Sequence, residues 1–104
     1  MQVALTVWCG RISPLFDATR TLLVANVKDR KITARHYEPI DGDSALSRAN
    51  RLNALGVEVL ICGGISEPFA NLIEARGIKV IPFSSGDVEE VLHAYLSDRI
   101  DFVT

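Results

Sequence analysis

Residues 57–68, VEVLICGGISEP, constrain the fold of this chain more than any other stretch. Residues 57–61 are apolar except Glu58, and three of the five are β-branched. Such a run reads as a strand covered on both faces, as in a parallel sheet. It ends in Cys62-Gly63-Gly64, where two missing Cβ atoms let the backbone turn sharply or approach a ligand closely. Ser66 can cap a following helix, and Pro68 in its first turn loses no needed hydrogen bond. A strand, a glycine turn and a helix N-terminus together can present N–H groups to an anion. The plainer reading is a tight structural turn, and the residues alone leave both open.

The rest of the chain arranges itself around that unit. Gln2 to Trp8 is strand-like and stops at Cys9-Gly10-Arg11. Residues 12–17, ISPLFD, read as a loop, because Pro14 keeps Ser13 out of helical geometry. Phe16 would anchor this loop on the core, and Asp17 would accept backbone N–H groups. Residues 21–27 and 32–37 read as two further strands. The polar turn between them, residues 28–31, is short enough to make them antiparallel. Residues 44–55 place Ala45, Leu46, Ala49, Leu52 and Leu55 on one helical face, with Asp43 or Ser44 as cap. A second helix carries Phe69, Ala70, Leu72, Ile73 and Ala75. Residues 78–83 form a short strand interrupted by Pro82, which suits an edge or a strand end. Asp87 and Glu90 resemble a capping box for a last helix with Val88, Val91, Leu92 and Tyr95 inward. Residues 97–104 form a tail whose Ile100, Phe102 and Val103 would dock on the sheet or on a partner.

This β-β-β-α-β-α-β-α order predicts one α/β domain over residues 1–104 with a ribonuclease-H-like motif. Its sheet would be five-stranded and mixed, in the order 3-2-1-4-5, with only the second strand antiparallel and three helices spread over both faces. At 104 residues a core is attainable. No apolar run approaches the roughly 20 residues of a membrane span. The N-terminus enters a strand without the basic region and cleavage site of a signal peptide, so a cytoplasmic location is expected. Net charge is −2; up to Leu52 there are eight Lys or Arg against five acids, and beyond it three against eight. No basic run suggests nucleic acid.

In this strand order Cys9 and Cys62 end adjacent parallel strands on one rim, where open α/β sheets bind ligands. Two thiols there, with Arg11 and a helix N-terminus close by, could hold a soft metal or an anionic metal–sulfur cluster over Gly63-Gly64. The competing reading makes both cysteines small buried hydrophobes. His36 and His93 read as surface or half-buried residues away from the rim. No HExxH, CxxC or spaced His/Cys cluster occurs, which argues against a self-sufficient structural metal site.

Three stretches, VALTVWCGRISPLFDATRTLLV, LNALGVEVLICGGISEPFANLIEARGIKVI and GDVEEVLHAYL, together resemble the dinitrogenase iron–molybdenum cofactor biosynthesis family. That family includes NifX, NafY and the C-terminal part of NifB. The resemblance implies a ribonuclease-H-like fold and a non-enzymatic carrier or storage role. The implied cargo is an iron–molybdenum–sulfur or molybdenum–copper–sulfur cluster. Gly10, Arg11, Ser13, Pro14, Phe16 and Asp17 match the family's first loop, and Gly63, Gly64 and Ile65 its second; Cys9 and Cys62 are the candidate metal ligands. The implied partners are cofactor-assembly or acceptor proteins, with neither nucleic acid nor membrane. A competing reading is a metal-free adaptor or regulator, homodimeric in one version, whose rim loops contact a partner. A metal-dependent hydrolase would need several carboxylates converging on two divalent ions. The predicted central strands carry none, since VALTV and VLI are uncharged and Asp17 stands alone.

Overall fold

A computed structural model describes residues 1–41 and 44–97. The strands are β1 (Gln2–Trp8), β2 (Arg11–Ile12), β3 (Thr21–Lys28), β4 (Lys31–Pro39), β5 (Val57–Ile61) and β6 (Lys79–Ile81). The helices are α1 (Ala45–Ala54), α2 (Glu67–Glu74) and α3 (Val88–Leu96), with a short 3-10 turn at Phe16–Ala18. The sheet runs β4-β3-β1-β5-β6. β3 is antiparallel to β1 and β4, while β1, β5 and β6 are parallel. This is the strand order and mixed sheet that the sequence predicts.

The sheet separates two cores. Ala4, Leu22, Val24 and Leu60 face α1 and α2, packing against Ala49, Leu52 and Ile73. Val3, Leu5, Leu23, Val59 and Ile61 face α3, packing against Val88, Val91 and Leu92. Alternation along β1, one residue to each core, follows from the two-residue period of a strand. Burial on both faces accounts for its near-continuous apolar run.

The differences from expectation are local. β2 is a sixth strand, pairing back on β1 through a two-residue turn at Cys9-Gly10 whose φ values are +52° and +76°. Both residues being left-handed is what a tight hairpin of this length demands. β6 stops at Ile81, just before Pro82, as a proline dictates. Ser44 caps α1, its hydroxyl accepting from Ser47 N at 3.0 Å. Asp87 caps α3 through Glu89 N and Glu90 N at 2.9 and 3.2 Å. Leu46, expected on the buried face of α1, is exposed; Arg48 is buried in its place. Asp43 and the tail residues Ile100, Phe102 and Val103 lie outside the described residues.

Candidate functional site

At the C-terminal ends of β1, β5 and β6, three loops are bonded to one another. The first is the segment Ser13–Ala18 that follows β2. Ser13 N donates to Thr6 O at 3.0 Å, which starts it beneath the end of β1. Leu15 then forms a parallel bridge with Gly64: Gly64 N donates to Pro14 O, and Phe16 N to Gly64 O, each at 2.7 Å. The second loop is Cys62–Ser66. The third, Pro82–Asp87, is held by Phe83 N donating to Gly63 O and Ser84 N to Cys62 O, each at 2.9 Å. Ile12 N donates to Gly86 O at 2.9 Å, and Val88 N to Gly10 O at 3.0 Å, which joins the hairpin to this third loop.

Phe16 fastens the first loop to the core. It is fully buried and meets Phe69 of α2 edge-on, with ring centroids 5.9 Å apart. Arg48 of α1 reaches beneath the same loop and donates to Phe16 O at 3.2 Å and Thr19 O at 2.7 Å. Its guanidinium lies 5.6 Å from the centre of the Phe16 ring. A charged group this deep is tolerable when carbonyls and a ring face receive it. The hydroxyl of Thr19 adds a bond to Leu15 O at 2.9 Å. The loop is therefore pinned on both sides.

The glycines serve this docking. A Cβ on Gly63 would lie 2.5 Å from Ser13 O and 2.6 Å from Pro14 O. The Gly64 N–H already bonds Pro14 O. The face of the glycine turn expected to carry a ligand is thus covered by the first loop. Ser66 starts α2, yet its side chain makes no capping bond. Asp17, from the first loop, accepts from the Ser66 backbone N–H through Oδ1 at 3.4 Å, the contact expected of it.

The two cysteines have separate surroundings. Leu5 stands level with Ile61 across the β1–β5 ladder. Thr6 is then level with Cys62, and Cys9 lies three residues further on, about 10 Å at the rise of a strand. Cys62 is fully buried among Ala4, Phe16 and Leu60. Burial, and secondarily the nearby Asp17 carboxylate, push its thiol up to about 12 from 9.0. The expectation of two thiolates facing one ligand fails on this point: Cys62 stays protonated and apolar, while Cys9 is exposed at the hairpin turn. A thiol-selective reagent at pH 8 should label Cys9 alone, with Cys62 reacting only after unfolding; two fast-reacting thiols in the folded protein would contradict this. The sign for stability follows from the raised value. The contribution of Cys62 is complete below pH 9 and declines as pH rises toward 12, where the unfolded chain loses its proton first.

The accessible rim carries large apolar side chains beside Arg11 and Asp17, which are also exposed. Trp8 is 64% exposed, Leu15 56% and Phe83 79%. Trp8, Ser13, Pro14, Leu15 and Ala18 line a cavity of about 250 Å³. A second cavity, of about 310 Å³, lies near the β3–β4 turn and the end of α3, at the other end of β1. Of these, the rim cavity is lined by Trp8, which pairs with Arg11 across the hairpin and precedes Cys9.

The sequence profile of a family described as "Dinitrogenase iron-molybdenum cofactor" matches residues 1–98. The chain belongs to this family. Solved structures share the fold across nearly all of the chain. PH0822 superposes with a TM-score of 0.89 at 17% identity, covering 98% of this chain and 96% of its own. A protein of Methanocaldococcus jannaschii gives 0.76 at 18% identity, covering 96% and 91%. The apo form of the orange protein from Desulfovibrio gigas gives 0.82 at 20% identity, covering 95% and 89%. No curated protein matches in sequence.

For a member of the dinitrogenase iron–molybdenum cofactor family, the donor set is sparse. Among the described residues no group of three or more His, Cys, Asp or Glu is placed to hold a metal ion. His36 is exposed on β4, its Nε2 3.1 Å from Glu38 Oε2, and His93 is exposed on α3. Among the described residues, no helix is long and apolar enough to cross a membrane. Sequence reasoning missed the exposure of Trp8, Leu15 and Phe83 and the joining of Trp8 and Leu15 in one cavity, because these depend on how separate segments pack. It also missed Arg48, for which a signal exists: position 48 lies between Ala45 and Leu52 on the inward stripe of α1.

Proposed function

We propose that this protein carries a preassembled anionic metal–sulfur cluster as cargo, without transforming it, and hands it to a cofactor-assembly or acceptor protein. The observation that carries the reading is the rim cavity lined by Trp8, Pro14 and Leu15 next to the Cys9–Arg11 turn. These residues do not fit a resident metal ion, which needs several converging donors. They do fit a cluster that keeps its own sulfides. Cys9 supplies one soft thiolate. Arg11 supplies fixed positive charge, and the apolar wall accepts polarizable sulfur. Ser13, Phe16, Asp17, Gly63, Gly64 and Ile65 shape the rim and hold its loops. Gly10 lets the hairpin turn tightly enough to bring Cys9 and Arg11 together. Membership in a family named for the iron–molybdenum cofactor supports the chemical class of the cargo.

Equilibrium dialysis under anaerobic conditions, with an iron–molybdenum–sulfur or molybdenum–copper–sulfur species, tests the site. Cys9→Ser should weaken binding by about an order of magnitude while leaving the fold intact. Arg11→Ala should weaken it about threefold at low salt and less at high salt, since an exposed charge is screened. Binding of parent strength in both variants would place the cargo elsewhere. A second reading, a metal-free adaptor, draws on the exposure of Leu15 and Phe83 on two of the rim loops; it predicts a colourless protein that takes up no cluster.

A further inference from the structure

The two edges of the sheet differ. β6 has three residues, and Val80 and Ile81 are buried. β4 has nine, and β3 is its only sheet neighbour among the described residues. Seven of those nine are exposed, so the helices cover little of either face of β4 beyond ion pairs. Long free edges invite pairing, and proteins usually guard them with charges, prolines or bulges. Here the proline and the bulge stand at the ends: Pro39 closes the strand, and the extra residue of a bulge is Thr33 of β4 itself, left between Ala34 opposite Asn26 and Ile32 opposite Val27. The central charges are engaged within the chain. Arg35 pairs with Glu89 of α3, and Glu38 with Arg51 of α1 at 2.8 Å and with His36 at 3.1 Å. Tyr37 between them is 62% exposed.

We propose that β4 pairs antiparallel with β4 of a second copy about a two-fold axis perpendicular to the sheet, with His36 opposite its own counterpart. Such an axis keeps each face of the sheet on its own side, so opposed residues must share a face and each register is centred on one residue; centring on Ala34 would bring the Thr33 bulge inside the ladder twice. Centring on Arg35 sets two permanent cations directly against each other, which is unfavourable. Centring on Tyr37 overlaps only residues 35–39. Centring on His36 overlaps residues 33–39 and sets Arg35 opposite Tyr37 twice, so each guanidinium can cover an exposed ring. On the other face it brackets the two histidines with the Glu38 carboxylates. The charges, together with the bulge at Thr33 and the proline at Pro39 that fall at the ends of this overlap, therefore select the same register. The inference is independent of the cargo site, which lies at the ends of β1, β5 and β6.

The test is the mass of the full chain in solution by sedimentation equilibrium, from about 10 µM to about 1 mM, since a contact limited to one edge is weak. The parent should move from one chain toward two as concentration rises. His36→Lys and His36→Glu, each at an exposed position, should raise the dimer dissociation constant about tenfold or more by opposing like charges. An equal mixture of the two should recover association at least to the parent level. A parent that stays at the mass of one chain throughout overturns the proposal. So do single variants that associate as the parent does, or a mixture that fails to recover.

Discussion

Gly63→Val should lower the melting temperature by about 15 °C or more, the largest effect of any single change on the rim. Its Cβ would lie 2.5 Å from Ser13 O and 2.6 Å from Pro14 O, both backbone atoms with no flexible end to swing aside. Overpacking of this kind costs about 1–3 kcal/mol. Moving the first loop also weakens the paired bonds at Gly64, each worth about 1 kcal/mol. Together these approach about 4 kcal/mol, and each kcal/mol shifts a domain of this size by about 4–8 °C. Gly10→Ala is the control. Nothing lies within 4 Å of its added Cβ, and only the φ of +76° is strained, at about 1 kcal/mol. A Gly63→Val protein that melts within about 3 °C of the parent would show that the loop is not docked as described.

Arg48→Met should cost about 4 kcal/mol, a large share of the stability of a small domain. The variant keeps the volume and apolar stem of the side chain and removes the guanidinium. Phe16 O and Thr19 O then lose a charged donor in a site that water does not reach, at about 1.5–3 kcal/mol for each bond. The loss is local as well as global. The Phe16 amide, which donates to Gly64 O, should exchange its hydrogen faster than amides in the centre of β1 or β3. Arg48→Lys keeps the charge but lacks the planar fork, so it should recover only part of the loss. Unchanged exchange at Phe16 in Arg48→Met would remove the guanidinium from its role beneath the loop.

The strand order was legible because its signals are local and repeated. Residues 57–61 and β1 are apolar on both faces, which places them in the middle of the sheet. The short polar turn after β3 forces its antiparallel partner. What the residues could not reveal is which face of a turn another loop occupies. Gly63 and Gly64 suggested room for an anion, and the room is taken by Ser13 and Pro14. Cys62 and Cys9 both end strands on one rim, yet a single further feature, the β2 hairpin, carries one thiol outward while the other stays in the core. Ser66 has the right residue type for a cap, yet its side chain makes no capping bond, and its own N–H is taken by Asp17, 49 positions away. Apart from the local hairpin at Cys9-Gly10, each miss is a contact between segments distant in sequence, where composition and periodicity carry no information.

Trp8 is the single tryptophan of the chain and lines the rim cavity, so its emission reads the proposed site without a label. The most direct measurement is an anaerobic titration of the protein with a metal–sulfur cluster, following Trp8 fluorescence and counting metal bound per chain. The account predicts saturable quenching that ends at one cluster per chain, with a weaker midpoint in Cys9→Ser. Stoichiometric uptake of the cluster with Trp8 emission unchanged, or no saturable uptake at all, would contradict it.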